Sequence, residues 1–352
     1  MASASAPLRL PSSKTRTATW NMATMSDIAR EAGVSLSTVS YALSGKRPIS
    51  PATRERIQEA IEKLSYHPTA SARALALNRA SILAVAVPLR PGANGHVIMQ
   101  FVRSMLGTAY ERDVDILLVT GEDADHTQRV IEEGKADALV VMDVSDSDPR
   151  MGFLRKLSKP VVLIGYPKRT YGLACVDFDF REAAALCVRE LHSTGARKIY
   201  MIRPPQEARE PVFTYQRRSL EGFRDGLDDF DLTGDVVELP ASYPAILQWA
   251  EQALTGPEAP DALFVHHEAL LAPLGRVLRD LSIQIPDALQ VTAIAPEDVA
   301  SDGPWQVSGT TLPIEAIGAT AVTMALDLVD DAELAPSAQL LAPRFTRRET
   351  TR

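Results

Sequence analysis

The chain has 352 residues, 45% hydrophobic and 23% charged, which suits a globular protein with room for two or three domains. Two cysteines, Cys175 and Cys187, cannot form a disulfide framework and fit a reducing compartment. The net charge of −8 is unevenly spread: residues 1–80 carry 11 Lys/Arg against 5 Asp/Glu, and residues 81–352 carry 26 against 40, so a basic head precedes an acidic body. That asymmetry points the head toward a polyanion, from which the body is repelled.

Residues 1–22 are rich in Ser, Thr, Ala and Pro with scattered Arg9, Lys14 and Arg16, and read as a disordered basic arm. They contain no apolar core of a secretory signal. No stretch approaches the ~18 apolar residues of a membrane span. A cytoplasmic protein with no membrane partner is expected.

Three helices are predicted over 23–67. Thr24 is placed to cap the first and Asp27 to answer it. Ile28, Ala29 and Ala32 give an apolar face, and Gly33 permits a left-handed turn with Val34 as its plug. Ser35 caps the second helix, "LSTVSYALSG", with Val39 and Leu43 inward and Leu36, Ser37, Ser40 and Tyr41 outward. Ser50 and Pro51 begin the third, whose core stripe is Ile57, Ala60, Ile61 and Leu64. Two short helices on a tight glycine turn, covered by a third, form a helix-turn-helix. Residues 68–80 are Ala-rich and too short for a stable isolated helix, so they read as a linker that orders only when held.

From residue 81 apolar runs alternate with helical patterns: "ILAVAV", "DILLV", "ALVVM", "VVLI", "KIYMI", "ALFVH" and "LQVTAI" are the strands. This alternation predicts parallel sheets flanked by helices, in two lobes that bind ligands at the carboxyl ends of their strands.

The run "TMSDIAREAGVSLSTVSYALSGKRPISPATRERIQEAIEKLSYHPTASARALA" resembles the N-terminal module of the LacI/GalR (lac-repressor) family. Its Asp-Ile-Ala, Ala-Gly-Val-Ser, Thr-Val-Ser and Tyr-x-Pro elements keep the family's order and spacing. The body resembles the family's periplasmic-binding-protein-like core through "LHSTGARKIYMI", "RRSLEGF", "PDALFV", "IPDALQVTAI", "TTLPIEAIGATAV" and "APRFTRRET". The resemblance implies a small all-α helix-turn-helix head, a hinge helix and a two-lobed α/β core, with an N-lobe of about 81–195 plus 309–333 and a C-lobe of about 196–308 plus 334–348. It implies a homodimeric repressor on a pseudo-palindromic operator, tuned by a small molecule such as a sugar or sugar derivative, with no cofactor. By position it assigns base reading to Leu36, Ser37 and Tyr41, nearby contacts to Thr24, Ser26, Thr38, Ser40 and Ser44, phosphate contacts to Ser71 and Arg73, and a minor-groove wedge to Leu75.

The departures fall in the body. The family's clamping Arg is replaced by Ser219, with Arg218 one residue earlier and about 100° round the helix. His266 and His267 stand where Asn-Asp is common, and "AIAP" (293–296) removes the usual cleft carboxylate, Glu297 and Asp298 following two residues late. Tyr166, Pro167 and Lys168 sit where a parallel sheet presents ligand contacts. The effector-binding candidates are therefore Tyr166, Arg218, Ser219, His266 and His267, for a ligand unlike the simple sugars of familiar members, or for none. His266 and His267, neighbours at a strand end, should point to opposite sides and share no metal. No catalytic motif is present. The competing readings are a sugar-binding or sugar-converting protein with a helix-turn-helix-like start, and a regulator that has lost its sensor.

Overall fold

A computed structural model describes residues 23–44, 47, 49–64, 66, 82–90, 92–121, 123–206, 211–302 and 305–352, and divides into two compact units, 1–78 and 79–352. The arm 1–22, the linker with Ser71, Arg73 and Leu75, and the side chains of Leu43 and Ser44 lie outside the described residues.

The head consists of α1 (Met25–Ala32), α2 (Leu36–Ser44) and α3 (Pro51–Lys63). Thr24 N–H donates to Asp27 Oδ2 at 2.9 Å and Asp27 N–H to Thr24 Oγ1 at 3.3 Å, the reciprocal cap expected from the sequence. Gly33 adopts φ +61°, and the Val34 N–H returns to the Ala29 carbonyl at 3.0 Å. Ser35 Oγ accepts from Thr38 N–H, and Ser50 Oγ from Thr53 N–H, each at 3.2 Å. Ile28, Ala29, Ala32, Val39, Ile57, Ala60 and Tyr66 form the core, with Val34, Ile61 and Leu64 packed at its edge. The α1–α2 turn has a further support that the pattern did not reveal. Arg56 on α3 donates to the Ala32 carbonyl (2.5 and 3.1 Å) and the Gly33 carbonyl (3.1 Å).

The body runs β1 (Ile82–Val87), α4 (Gly95–Glu111), β2 (Asp115–Thr120), α5 (Ala124–Glu132), β3 (Ala138–Val141), α6 (Met151–Leu154), β4 (Val161–Ile164), β5 (Ala174–Phe178), α7 (Phe180–Ser193), β6 (Lys198–Arg203), α8 (Thr214–Asp229) and β7 (Thr233–Glu238). It continues with α9 (Tyr243–Ala253), β8 (Ala262–His266), α10 (Leu271–Asp280), β9 (Gln290–Ala295), α11 (Glu297–Ser301), β10 (Ser308–Thr311), α12 (Ile314–Asp330), β11 (Ala338–Leu341) and β12 (Phe345–Thr346). One sheet has the order β11-β5-β4-β3-β1-β2, all parallel; the other is β12-β10-β9-β8-β6-β7, with only β12 antiparallel. The central strands are buried on both faces, as sheets covered by helices require. No helix among the described residues is long and apolar enough to cross a membrane.

The lobe boundaries differ from those implied by the resemblance. α7, expected in the N-lobe, packs on α8 and on β8, β9 and β10 of the second sheet. Its buried face of Ala183, Ala184, Cys187, Val188 and Leu191 meets glycines on α8: a Cβ at Gly222 would stand 1.9 Å from the Arg181 carbonyl oxygen. β10 pairs with β9 in the second sheet, and β11 with β5 in the first. Chain order alone cannot reveal these crossings, because the helix after a strand can cover either sheet.

Candidate functional sites

The head presents the start of α2. Leu36 is 49% exposed, an apolar side chain held in water by its place on the helix, and Ser37 beside it is also exposed. Ser35 Oγ hydrogen-bonds Ser37 Oγ at 2.8 Å and Thr38 Oγ1 at 2.7 Å, so the first turn carries a connected row of hydroxyls. Ser40 and Tyr41 are half-buried, and Arg47 lies 5.2 Å from the Tyr41 ring centroid. Ser26 on α1 and its cap Thr24 are exposed; Thr24 is engaged with Asp27. Hydroxyls that donate and accept, an exposed aliphatic group and a cation beside an aromatic ring are the chemistry of base-edge, thymine-methyl and phosphate contact.

In the body a cavity of about 140 Å³ lies at the carboxyl ends of both sheets. Arg90 after β1, Met142 and Asp143 after β3, Gly165 after β4 and Asp177 in β5 contribute from one lobe; Thr214 and Tyr215 opening α8, His266 ending β8, and His267 and Glu268 after it contribute from the other. Gly165 has φ +141°, and a Cβ there would stand 2.9 Å from Val144 Cβ and 3.1 Å from Thr214 Oγ1, so glycine permits the lobes to approach. The Thr214 N–H donates to the Val144 carbonyl at 2.9 Å across this junction.

Of the five residues singled out from the sequence, His266 and His267 line the cavity, while Tyr166, Arg218 and Ser219 do not. Arg218 donates to Asp179 at 2.6 Å and lies 5.1 Å from the Tyr166 ring centroid. Ser219 is fully buried, and its hydroxyl has no hydrogen-bond partner. The two histidines were expected to diverge. Both reach the lining because His267 adopts φ +147°, which breaks the strand's alternation. Among the described residues no group of three His, Cys, Asp or Glu could hold a metal. Glu297 is taken up by Arg348 (2.7 and 2.8 Å), and Asp298 hydrogen-bonds His96 on the other lobe.

The polar centre of the cavity escaped the sequence reading. Arg90 donates to Asp143 Oδ2 at 2.9 and 3.1 Å and covers the Phe213 ring at 4.2 Å. Burial pushes the Tyr215 phenol well above its usual range. Burial also lifts Asp177 to about 7, against the pull of the Phe178 N–H and the Arg218 charge. Burial drives His266 down to about 3, with His267 and Arg203 adding to it, so the ring is neutral. A carboxylate inside the apolar strand "ACVDF" was the available signal for Asp177; nothing local marked Arg90 or Tyr215.

Comparison with known proteins gives matches over both units. Residues 24–69 match the model of bacterial regulatory proteins of the lacI family, and residues 188–351 match the periplasmic binding protein-like domain. Catabolite control protein A of Priestia megaterium is 25% identical over 94% of this chain and 99% of its own. The ribose operon repressor of Escherichia coli (strain K12) is 24% identical over 93% and 99%. Among solved structures, the lac repressor dimer bound to operator and the anti-inducer ONPF matches with a TM-score of 0.76 at 19% identity, covering 94% of this chain and 99% of that one. The complex of the transcriptional regulator CelR with cellobiose matches with a TM-score of 0.64 at 21% identity, covering 93% and 99%.

Proposed function

From the premise that this chain belongs to the lacI family of bacterial regulatory proteins, we propose that it is a sequence-specific DNA-binding transcription regulator, a homodimeric repressor acting in the cytoplasm by binding alone. The carrying observation is the head itself: a capped helix pair fixed by Gly33 and Arg56, with the hydroxyl-rich start of α2 and Leu36 left open to solvent. In this reading α2 enters the major groove. Leu36, Ser37 and Tyr41 meet base edges, and Ser26, Thr38, Ser40 and Ser44 meet backbone or neighbouring bases. Leu75 wedges the minor groove, and Ser71 and Arg73 hold phosphates beside it. One head reads only a half-site, so two copies on a pseudo-palindrome are required.

The cavity between the lobes is the sensor. A ligand that binds one arrangement of the lobes better than another shifts their equilibrium, and the linker carries that shift to the heads. Selection of duplexes from a random library tests the reading. We expect a two-fold-symmetric sequence to be enriched, with affinity falling steeply as salt rises, since each neutralised phosphate releases counterions. A chain that retains small-molecule binding but enriches no sequence at any salt is a binding protein instead.

A further inference from the structure

The cavity is poorly equipped for a polyhydroxylated or anionic ligand. A buried polar group left unpaired is costly, so a sugar needs a partner at nearly every hydroxyl. These walls are largely hydrocarbon, formed by side chains such as Ile98, Phe101, Met142, Ile164, Phe180 and Ile294. Ser219 and Arg218 lie outside the lining, and the guanidinium of Arg218 is held by Asp179. Arg90, the cation in the lining, is matched to Asp143.

The charges do not balance. Three carboxyl groups line the cavity, Asp143, Asp177 and Glu268; burial leaves Asp177 only partly ionised near neutral pH, yet Asp143 and Glu268 alone outnumber the Arg90 guanidinium in the lining. Glu268 accepts from the neutral amide of Asn94 at 2.7 Å. His267 Nδ1 stands 3.8 Å from Glu268 but accepts the Ala269 N–H, so that nitrogen carries no proton. Asp177 is 3% exposed; its Oδ1 accepts the Phe178 N–H at 2.9 Å, and its Oδ2 has no hydrogen-bond partner. His266 Nε2, in the same lining, also has none. A buried carboxylate oxygen without a donor is costly unless something in the cavity supplies one.

We propose that the cavity takes a small primary amine, with its ammonium head against the Asp177 and Glu268 carboxylates and a compact hydrocarbon body against the apolar walls. This rests on the reading of the body as a sensor. An ammonium offers three donors and one positive charge, where the lining has an unsatisfied acceptor and an excess of negative charge. The volume of about 140 Å³ is small beside the ~300–1,000 Å³ of drug-sized pockets, which restricts the body to a single ring or a short branched chain.

Titration calorimetry of the full chain with cyclohexylamine, benzylamine and isoamylamine tests this. Cyclohexanol and cyclohexanecarboxylate serve as neutral and anionic counterparts, and ribose and cellobiose as sugars. At least one amine should bind, with cyclohexanecarboxylate at least tenfold weaker, and Asp177→Asn should weaken the amine at least tenfold. Glu268→Gln should weaken it too and serves if the first variant fails to fold. Absence of heat from every amine, tighter binding of a sugar or the carboxylate, or undiminished amine binding in a folded variant would overturn the proposal. Duplex binding is measured on the same preparation: a chain that binds DNA but none of the amines loses the amine assignment alone, and a chain that binds no DNA loses the regulator reading itself.

Discussion

His96 Nε2 and Asp298 Oδ2 stand 2.7 Å apart across the interlobe cleft, and Gln100 Nε2 donates to the same oxygen at 2.7 Å. His96 and Gln100 belong to the first turns of α4 and Asp298 to α11, so the contact ties one lobe to the other. The Asn94–Glu268 hydrogen bond, 2.7 Å, is a second link between the lobes, at the cavity wall. Burial alone would raise Asp298, but the hydrogen bonds from His96, Val299 N–H and Gln100 and the His96 charge hold it below its usual range. Its contribution is therefore present above the ordinary carboxylate value and fades only in strong acid.

Asp298→Ala should loosen closure modestly. The two side chains are 61% and 40% exposed, which limits such a pair to under ~1 kcal/mol. We expect ligand dissociation to quicken by no more than about fivefold. Stopped-flow release measures this, and an unchanged rate would show that the tie does not gate the cavity.

Arg56→Ala and Ser37→Ala should separate folding from reading. Removing Arg56 strips donors from the Ala32 and Gly33 carbonyls and should destabilise the head by about 1–3 kcal/mol. Ser37 is exposed and outside the core, so its loss should leave the melting of the head unchanged while relaxing base preference at one operator position. Circular dichroism melts beside binding to single-base operator variants distinguish the two.

Asp177→Asn should change how stability depends on pH. The native carboxyl, raised by burial to about 7, keeps its proton where the unfolded chain, near 3.8, has lost it. Its contribution is complete below the unfolded value and is lost as pH rises through about 7. Wild type should therefore lose stability relative to Asp177→Asn between pH 5 and 8. Urea unfolding of both proteins at the two pH values reads this difference, and a constant gap would contradict it.

Leu106→Glu with Tyr110→Glu should weaken self-association. These residues are 47% and 85% exposed on α4, and Met99, seven positions before Leu106, is 57% exposed on the same face. An apolar row of this kind suits a second copy. Sedimentation should show a lower-mass species, and operator affinity should fall with it while Tm is retained.

The head was legible because each of its devices is local. Thr24 and Asp27 are three residues apart, Gly33 needs only its own φ, and Ser50–Pro51 announce α3 unaided. Most strands were legible as buried apolar runs. β5, β7, β10 and β11 were not: β7 and β11 are edge strands with partly exposed patterns, Asp177 interrupts the apolar run of β5, and β10, "SGTT", is largely buried but holds no apolar side chain. The cavity was the least legible part. Asp177, Arg90, Tyr215 and Glu268 come from four separate segments, and only the folded sheets place them together. The pairing of Arg218 was hidden for the same reason: its partner Asp179 is 39 residues away.

β11 and β12 lie three residues apart in sequence but close different sheets, and Thr350 is then stitched to β9 by hydrogen bonds to Val291. During translation the head has every residue of its core once Tyr66 has left the ribosome, whereas neither lobe can be completed until residues 338–346 have emerged. A nascent chain is thus able to fold its DNA-reading module long before it acquires a sensor. On the proposed reading, a chain truncated late would carry a head without its cavity, and removal of incomplete chains would then guard regulatory fidelity.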